Sequence, residues 1–172
     1  MAEENNEEIV QTHEEDFSET FETETVALHP EKEFDELLRT HRSAKSGLLG
    51  GLISLEKGYS KVTFQTTNEM SIDELGLVHS GFIFASADYA AATAVNEENT
   101  VIIGSRVSFL APAKVGDLIE FEAKAKFEDS RKREISVVGK INDIKIFDGL
   151  FHAVVLDKHI FKVKIKNVDR KY

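Results

Sequence analysis

The 172-residue sequence contains no cysteine and no tryptophan, and it has only two prolines. Without cysteine the chain cannot form a disulfide, a thiolate nucleophile or a zinc–thiolate site, so covalent catalysis would have to use oxygen or nitrogen. No apolar run reaches the roughly 18 uncharged residues of a membrane span, because His79 and Asp88 interrupt the best candidate. The N-terminus also lacks a basic stretch followed by an apolar one, so we expect a cytoplasmic protein without a secretory signal.

Lysine and arginine are absent from the first 29 positions, which hold ten of the 31 acidic side chains. Such a block buries too little apolar surface to offset the entropy of ordering, so we expect residues 1–29 to be disordered. The block repels phosphate, which argues against nucleic-acid binding, and it either solvates the protein or binds a protein partner. We therefore predict an acidic tail at 1–29, a folded domain with a short leading helix at 30–158 and a basic extension at 159–172.

The apolar pattern between the tails predicts one long helix surrounded by strands. Small apolar residues from 78 to 95 would surround a helix on every side, and such a helix belongs inside a fold. Apolar spacing over 31–42 predicts a short leading helix. Residues 118–127 alternate between apolar and charged, as in a sheet with one solvated face. The predicted extended segments are 51–67, 100–110, 118–127, 131–142 and 144–157, with a tight turn at 142–143 and a bulge at 148–149.

Asp88 is the one charged residue in the middle of the apolar helix. An aspartate is almost never fully buried unless it is paired or used chemically, because burial of an ionised carboxylate is costly or raises its pKa. We therefore predict that Asp88 acts in catalysis. The alternative is that Asp88 bonds a neighbouring backbone or hydroxyl group and only orders a dimer of the chain.

Three groups of residues carry a resemblance to a known family. They are Val78, His79, Ser80 and Gly81 at the helix start, Asp88 within the helix, and Phe109, Leu110, Ala111, Pro112, Val115, Gly116 and Asp117 after the next strand. Over about residues 51–157 the chain resembles the hotdog acyl-CoA thioesterases of the phenylacetyl-CoA type and the ligand-sensing half of a fatty-acid repressor. It is also similar to a small hotdog protein co-expressed with flagella in spiral-shaped enteric bacteria. The resemblance implies an α+β hotdog fold, with a curled antiparallel sheet around a long central helix.

The resemblance further implies a homodimer that binds an acyl-CoA thioester and needs no metal or resident cofactor. Gly81 and Asp88 are seven residues apart, about 10 Å along a helix axis, so one chain cannot bring both to one carbonyl. In hotdog dimers the helix N-terminus of one protomer lies beside the helical acid of the other. The amides of Ser80, Gly81 and Phe82 would then face the thioester oxygen, and Asp88 would activate water.

Further residues near the motif are assigned to substrate binding. For His79 the alternative is a local loop hydrogen bond, and for Ser80 it is a simple helix cap. Asp73 stands where these enzymes often carry an asparagine, and a second carboxylate there would repel Asp88 or raise its pKa. The CoA phosphates require cations, although the basic candidates also fit solvated turn and edge positions. The residues assigned to binding are His79, Phe82, Asp73, Arg106, Arg131, Lys132 and Arg133.

These residues predict a homodimer that binds an acyl thioester and hydrolyses it if Asp88 serves as the base. The chain lacks part of the family's catalytic pattern, because Ser80 stands in place of a glycine and Ile102 in place of a serine or threonine. The alternative is a non-catalytic acyl-CoA sensor or adaptor that reports to a protein partner through the acidic tail, with a link to motility implied by the flagellar resemblance. A dehydratase of the same fold is disfavoured. Its catalytic histidine would have to be His79, which instead opens the helix in a thioesterase-like pattern.

Overall fold

The computed structural model describes residues 34, 36–127 and 130–163. Within these ranges the chain forms two α-helices and six strands. Their bounds are α1 Ser46–Leu49, β1 Gly51–Glu56, β2 Tyr59–Gln65, α2 Ser80–Val95, β3 Thr100–Phe109, β4 Leu118–Phe127, β5 Lys132–Ile141 and β6 Ile144–Val155. The predicted acidic tail and most of the predicted basic extension lie outside the described residues. Neither described helix has the length and hydropathy needed to cross a membrane.

The six strands form one antiparallel sheet in the order β1-β2-β4-β5-β6-β3. Helix α2 packs against its concave side and contacts all six strands. Alanines dominate the buried part of α2 and let the strand backbones approach closely, so the apolar surfaces of both layers are buried together. This arrangement confirms the predicted α+β hotdog fold.

The core fills the space between α2 and the concave face of the sheet. In β4, Ile119, Phe121 and Ala123 are fully buried while the intervening charged residues face outward, as the alternation predicts. Burying each large apolar side chain contributes about 1.5–3 kcal/mol relative to exposure. Four aromatic rings are the largest of the fully buried side chains: Phe64, Phe121, Phe147 and Phe151.

Buried hydroxyl groups connect α2 to the sheet and to α1, and each of them has a hydrogen-bond partner. The hydroxyl of Ser60 in β2 donates to the carbonyl of Ala90 at 2.7 Å, and the Thr93 hydroxyl lies 3.1 Å from that of Ser60. The Ser86 hydroxyl donates to the carbonyl of Leu49 at the end of α1, at 2.8 Å. These bonds fix the position and rotation of α2 against its neighbours, because a buried hydroxyl that loses its partner destabilises the fold.

The leading helix predicted over 31–42 is wrong for the described part of that range. The Leu38 amide donates to the Phe34 carbonyl at 2.8 Å, which closes one turn, but the chain then leaves helical conformation and His41 adopts a φ of 52°. The apolar spacing arises because Phe34 and Leu38 pack against the core. So short a segment gains too few hydrogen bonds to hold a helix by itself, and the short helix α1 follows later.

The strand predictions were correct except in two details. The extended segment 51–67 is two strands, β1 and β2, which pair as a hairpin. The predicted bulge at 148–149 is wrong, because both residues pair in register with β5 and β3. The register shifts instead between Gly139 and Lys140 in the β5–β6 pair and between Ile102 and Gly104 in the β3–β6 pair. The turn at 142–143 has positive φ at both residues, as a tight hairpin turn requires.

Gly139 allows β5 to pack directly against two core rings. A Cβ at this position would lie 2.7 Å from Cε1 of Phe121 and 3.0 Å from Cβ of Phe147. We predict that Gly139→Ala lowers the free energy of unfolding by about 1–3 kcal/mol, because the extra methyl group overpacks the core. Gly51→Ala in β1 is the matched control, since a Cβ there meets nothing within 4 Å. Urea unfolding followed by circular dichroism measures both, and equal losses for the two variants would contradict this account.

Candidate functional site

The N-terminus of α2 lies at the surface, and His79 caps it. Nδ1 of His79 accepts a hydrogen bond from the Gly81 amide at 2.9 Å, and the His79 carbonyl accepts one from the Phe82 amide at 3.1 Å. The His79 amide donates to the carbonyl of Met70 at 2.9 Å, which ties the cap to the preceding loop. The first turn of the helix is therefore held in place from both sides.

This cap occupies amides that the sequence assigns to a ligand. Of the three predicted donors, the amides of Gly81 and Phe82 already bond to His79, and only that of Ser80 has no protein acceptor within the described chain. A Cβ at position 81 would lie 2.8 Å from Nδ1 of His79, so glycine makes room for the imidazole. The local hydrogen bond named above as the alternative role of His79 is the one that the structure contains.

Asp88 lies on a face of α2 that the described residues leave uncovered. Gly81, Phe84, Ala85 and Asp88 are spaced so that they share one side of the helix, and we call this side the open face. Gly81 is exposed and the other three are half-buried, whereas most of the helix beyond residue 86 is fully buried. The open face is thus mainly apolar, with one carboxylate.

The Asp88 carboxylate has no hydrogen-bond or ion-pair partner among the described residues. Burial raises its pKa above the ordinary value of 3.8, because partial removal from water disfavours the charged form. The alternative in which Asp88 bonds a neighbouring group is therefore not what the protomer contains. A partly desolvated carboxylate without a partner is a characteristic feature of catalytic and binding sites.

Asp73 shapes the loop before α2. Its Oδ1 accepts hydrogen bonds from the amides of Leu75 at 3.0 Å and Leu77 at 2.9 Å, an arrangement typical of an Asx turn. Burial alone accounts for the raised pKa of Asp88. The predicted effect of Asp73 on Asp88 is therefore absent within one protomer.

The cations predicted to bind phosphate lie near the other end of α2. Arg133 pairs with Glu97, two residues beyond the helix, at 2.9 Å, and Arg131 pairs with Asp157 at 2.7 Å. Lys132 is exposed, and its ammonium has no partner in the described ranges. These bonds stabilise the region between β4 and β6, and the structure does not bring the three cations to the helix N-terminus.

Arg106 lies on the outer face of the sheet. Residues that face each other across an antiparallel pair share one face, and Arg106 is opposite Leu150, whereas the adjacent Ser105 is opposite the buried Phe151. Arg106 therefore points away from α2 and from Asp88. The sequence could not reveal this, because the apolar neighbours of Arg106 are compatible with either face of an edge strand.

An apolar cleft of about 360 Å³ opens beside the first turn of α2. Its walls come from the loop before α2, from the start of α2 and from the segment that follows β3. The lining residues are Ile72, Leu77, Val78, Ser80, Ile83, Phe109, Leu110, Ala111, Pro112 and Ala113. Sequence reasoning identified residues 109–112 only as a family feature and did not predict the cleft. The signal that could have indicated the cleft is the pair of uncharged runs at 75–78 and 109–113.

Residues 75–137 match the family model of the thioesterase superfamily. Among solved structures, Cj0977, a sigma28-regulated virulence protein from Campylobacter jejuni, is 44% identical, with a TM-score of 0.72 over 74% of this chain and 98% of that one. A hypothetical thioesterase from Streptococcus pneumoniae, solved with coenzyme A, is similar in fold at 18% identity, with a TM-score of 0.61 over 69% of this chain and 95% of that one.

A curated relative matches over only part of its length. Methylthioribose-1-phosphate isomerase from Aquifex aeolicus is 40% identical over 119 residues, which cover 69% of this chain and 26% of that protein. The chain therefore spans about a quarter of the length of this relative.

The cap at His79 gives a prediction for stability. His79→Ala removes the acceptor of the Gly81 amide and should lower the free energy of unfolding by about 1 kcal/mol, the usual size of an N-cap. His79→Asn retains a side-chain acceptor and should recover most of that loss. Gly81→Ala should cost more stability in the parent protein than in a protein that already carries His79→Ala. In the second background the new Cβ has no imidazole to contact. Urea unfolding measures the parent, the three single variants and the His79→Ala/Gly81→Ala double variant, and strictly additive losses would contradict the contact.

Asp88 gives a prediction for pH dependence. Because the folded-state pKa of its carboxyl is raised above 3.8, the ionised form destabilises the fold above the folded-state pKa, and this penalty disappears as the pH falls towards 3.8. Asp88→Asn should therefore have a higher Tm than the parent at pH 7, with a gap that narrows on acidification. Glu98→Gln, at an exposed position beyond α2, is the control and should leave the Tm unchanged. A lower Tm for Asp88→Asn at pH 7 would contradict this reasoning.

Proposed function

The chain belongs to the thioesterase superfamily, and from that membership we propose that it binds an acyl-CoA or related acyl thioester as a homodimer and hydrolyses it with Asp88 as general base. The observation that carries the proposal is the half-buried Asp88 carboxylate, with its raised pKa and no partner in the described chain. A raised pKa suits a general base, because its proton affinity moves towards that needed near neutral pH. The coenzyme A bound to the Streptococcus pneumoniae relative supports CoA as the thiol.

Two surfaces that residues 34, 36–127 and 130–163 leave uncovered support the homodimer. Strand β3 is at the edge of the sheet and pairs only with β6, and its residue Ile103 is 57% exposed. The open face of α2 adds a second apolar surface. The outer side of an edge strand and an uncovered apolar helix face are surfaces that a second copy of the chain would bury.

The dimer also answers the problem of distance along α2. Gly81 and Asp88 are about 10 Å apart on the helix axis, so Asp88 cannot serve a ligand at the N-terminus of its own helix. With the two helices antiparallel, the N-terminus of one would lie beside Asp88 of the partner subunit. Each dimer would then hold two equivalent sites.

In the proposed reaction Asp88 takes a proton from a water molecule as the water oxygen attacks the thioester carbonyl carbon. The C–S bond then breaks, and the proton passes to the departing sulfur, so the products are the free acid and the CoA thiol. The Ser80 amide of the other protomer donates to the carbonyl oxygen while negative charge develops there, and the positive end of the helix dipole adds to this stabilisation. The Gly81 amide can join it only when the His79 ring moves away.

A non-catalytic acyl-CoA sensor or adaptor is the second candidate. The observation that favours it is the occupied Gly81 amide, since a thioesterase would use this donor in the transition state, whereas binding does not require it. In this form the ligand state would be reported to a protein partner through the acidic residues 1–29. The resemblance to a flagellum-co-expressed protein would then place the partner in motility.

The two candidates differ in turnover. Incubation with acyl-CoAs of several chain lengths should release free thiol, and Asp88→Asn should lower the rate by about 10²–10⁴-fold, the usual contribution of a general base. The affinity for acyl-CoA should change little, and the rate of the parent should fall as the pH falls through the raised pKa of Asp88. Tight binding without thiol release would establish the sensor instead.

Two controls accompany this assay. Glu98→Gln should retain the parent rate, so an equal loss in both variants would exclude a special role for Asp88. Light scattering should give the mass of a dimer, and a folded protein that stays monomeric at all concentrations would contradict the shared site.

A further inference from the structure

We propose that the apolar cleft beside Ser80 holds the acyl group of the thioester and selects uncharged acyl groups over those that end in a carboxylate. This inference rests on the proposed function and goes beyond it by naming the chemical class of the acyl group. Three observations carry it: the position of the cleft, the chemistry of its walls and the way in which the walls are held apart.

The position of the cleft follows from Ser80. This residue lines the cleft, and its amide is the donor at the start of α2 that has no acceptor within the described part of the chain. A thioester oxygen bonded to that amide places the carbonyl carbon at the mouth of the cleft. The acyl chain begins at that carbon, so the adjoining apolar space is within its immediate reach.

The chemistry of the walls favours hydrocarbon. Ser80 is the only polar side chain among the ten lining residues, and none of them carries a charge. Each methylene that leaves water for such a space strengthens binding about fourfold. A terminal carboxylate would lose hydration without gaining a donor, which disfavours binding. The cleft therefore discriminates by charge at the far end of the acyl group as well as by length.

The walls are held by main-chain bonds. The Val78 amide donates to the Ala113 carbonyl at 3.0 Å, and the Ile72 amide donates to the Leu77 carbonyl at 2.8 Å. The rim carries Ile72 and Leu110, which are 57% and 54% exposed. An open apolar cleft with a hydrogen-bonded frame and exposed apolar side chains at its rim is a preformed site for an apolar ligand.

The test uses the full chain with Asp88→Asn, so that binding is measured without turnover. Calorimetry compares CoA, acetyl-CoA, butyryl-CoA, hexanoyl-CoA and adipoyl-CoA, of which the last has the length of hexanoyl-CoA and a terminal carboxylate. We expect affinity to rise from CoA to hexanoyl-CoA by about fourfold per methylene. We expect hexanoyl-CoA to bind at least about tenfold more tightly than adipoyl-CoA, because the terminal carboxylate finds no partner.

A cation on the rim should reverse this preference. Leu110→Arg should weaken the binding of hexanoyl-CoA and strengthen the binding of adipoyl-CoA, because the guanidinium can pair with the terminal carboxylate. The ratio of the two affinities should then narrow at least about tenfold. Leu75→Arg is the matched control: it lies in the loop of the cleft wall, is 81% exposed and does not line the cleft. It should leave the ratio unchanged. Circular dichroism checks that both variants are folded.

The outcomes separate this inference from the proposed function. If CoA and all thioesters bind with one affinity, the cleft does not hold the acyl group, while thioester binding itself stands. If no acyl-CoA binds, both proposals fail. If Leu110→Arg converts a dimer to a monomer while the ratio of the two ligands stays the same, the cleft is an interface between copies of the chain and the inference is overturned.

Discussion

The close packing of α2 into the curled sheet is the interaction on which the rest of the structure depends. Ala87, Ala90 and Ala91 are completely buried, and side chains of this size let the strand backbones close around the helix. Hydroxyl groups then fix the rotation of the helix, so that one face and one end remain outside the core. The open face presents the carboxylate of Asp88, and the exposed end presents the Ser80 amide beside an apolar cleft.

The site combines features that oppose stability with features that support it. A half-buried carboxylate without a partner destabilises the fold at neutral pH, and its persistence is understandable if the group is used in chemistry. His79 has the opposite effect, because its imidazole satisfies the Gly81 amide and stabilises the helix start. That same contact occupies a donor that hydrolysis would use. Stability and catalysis therefore compete for one hydrogen bond, and this competition is the physical difference between the two candidate functions.

Prediction from the sequence succeeded wherever one repeating pattern decided the outcome. The bounds of α2 follow from a continuous run of small apolar residues and those of β4 from apolar alternation, and Asp88 stands out as a candidate because it is the lone charge within that run. Prediction failed for 31–42, where the apolar spacing reflects packing against the core rather than a helix. The phosphate-binding role of the cations stays a prediction, and the sequence did not indicate that Arg133 pairs with Glu97, 36 positions earlier in the chain, because no local pattern encodes such a partner.

The sequence by itself determined the extent of the central helix and of most strands around it, and it singled out Asp88 as the candidate for chemistry. These properties depend on local periodicity and on the cost of burying a charge, and both can be read along the chain. The tertiary structure alone decided which amides remain free, which face of the sheet carries Arg106 and where the cleft lies. Those properties depend on contacts between segments far apart in sequence, because hydrogen-bond partners and cavity walls exist only after the sheet has closed around the helix.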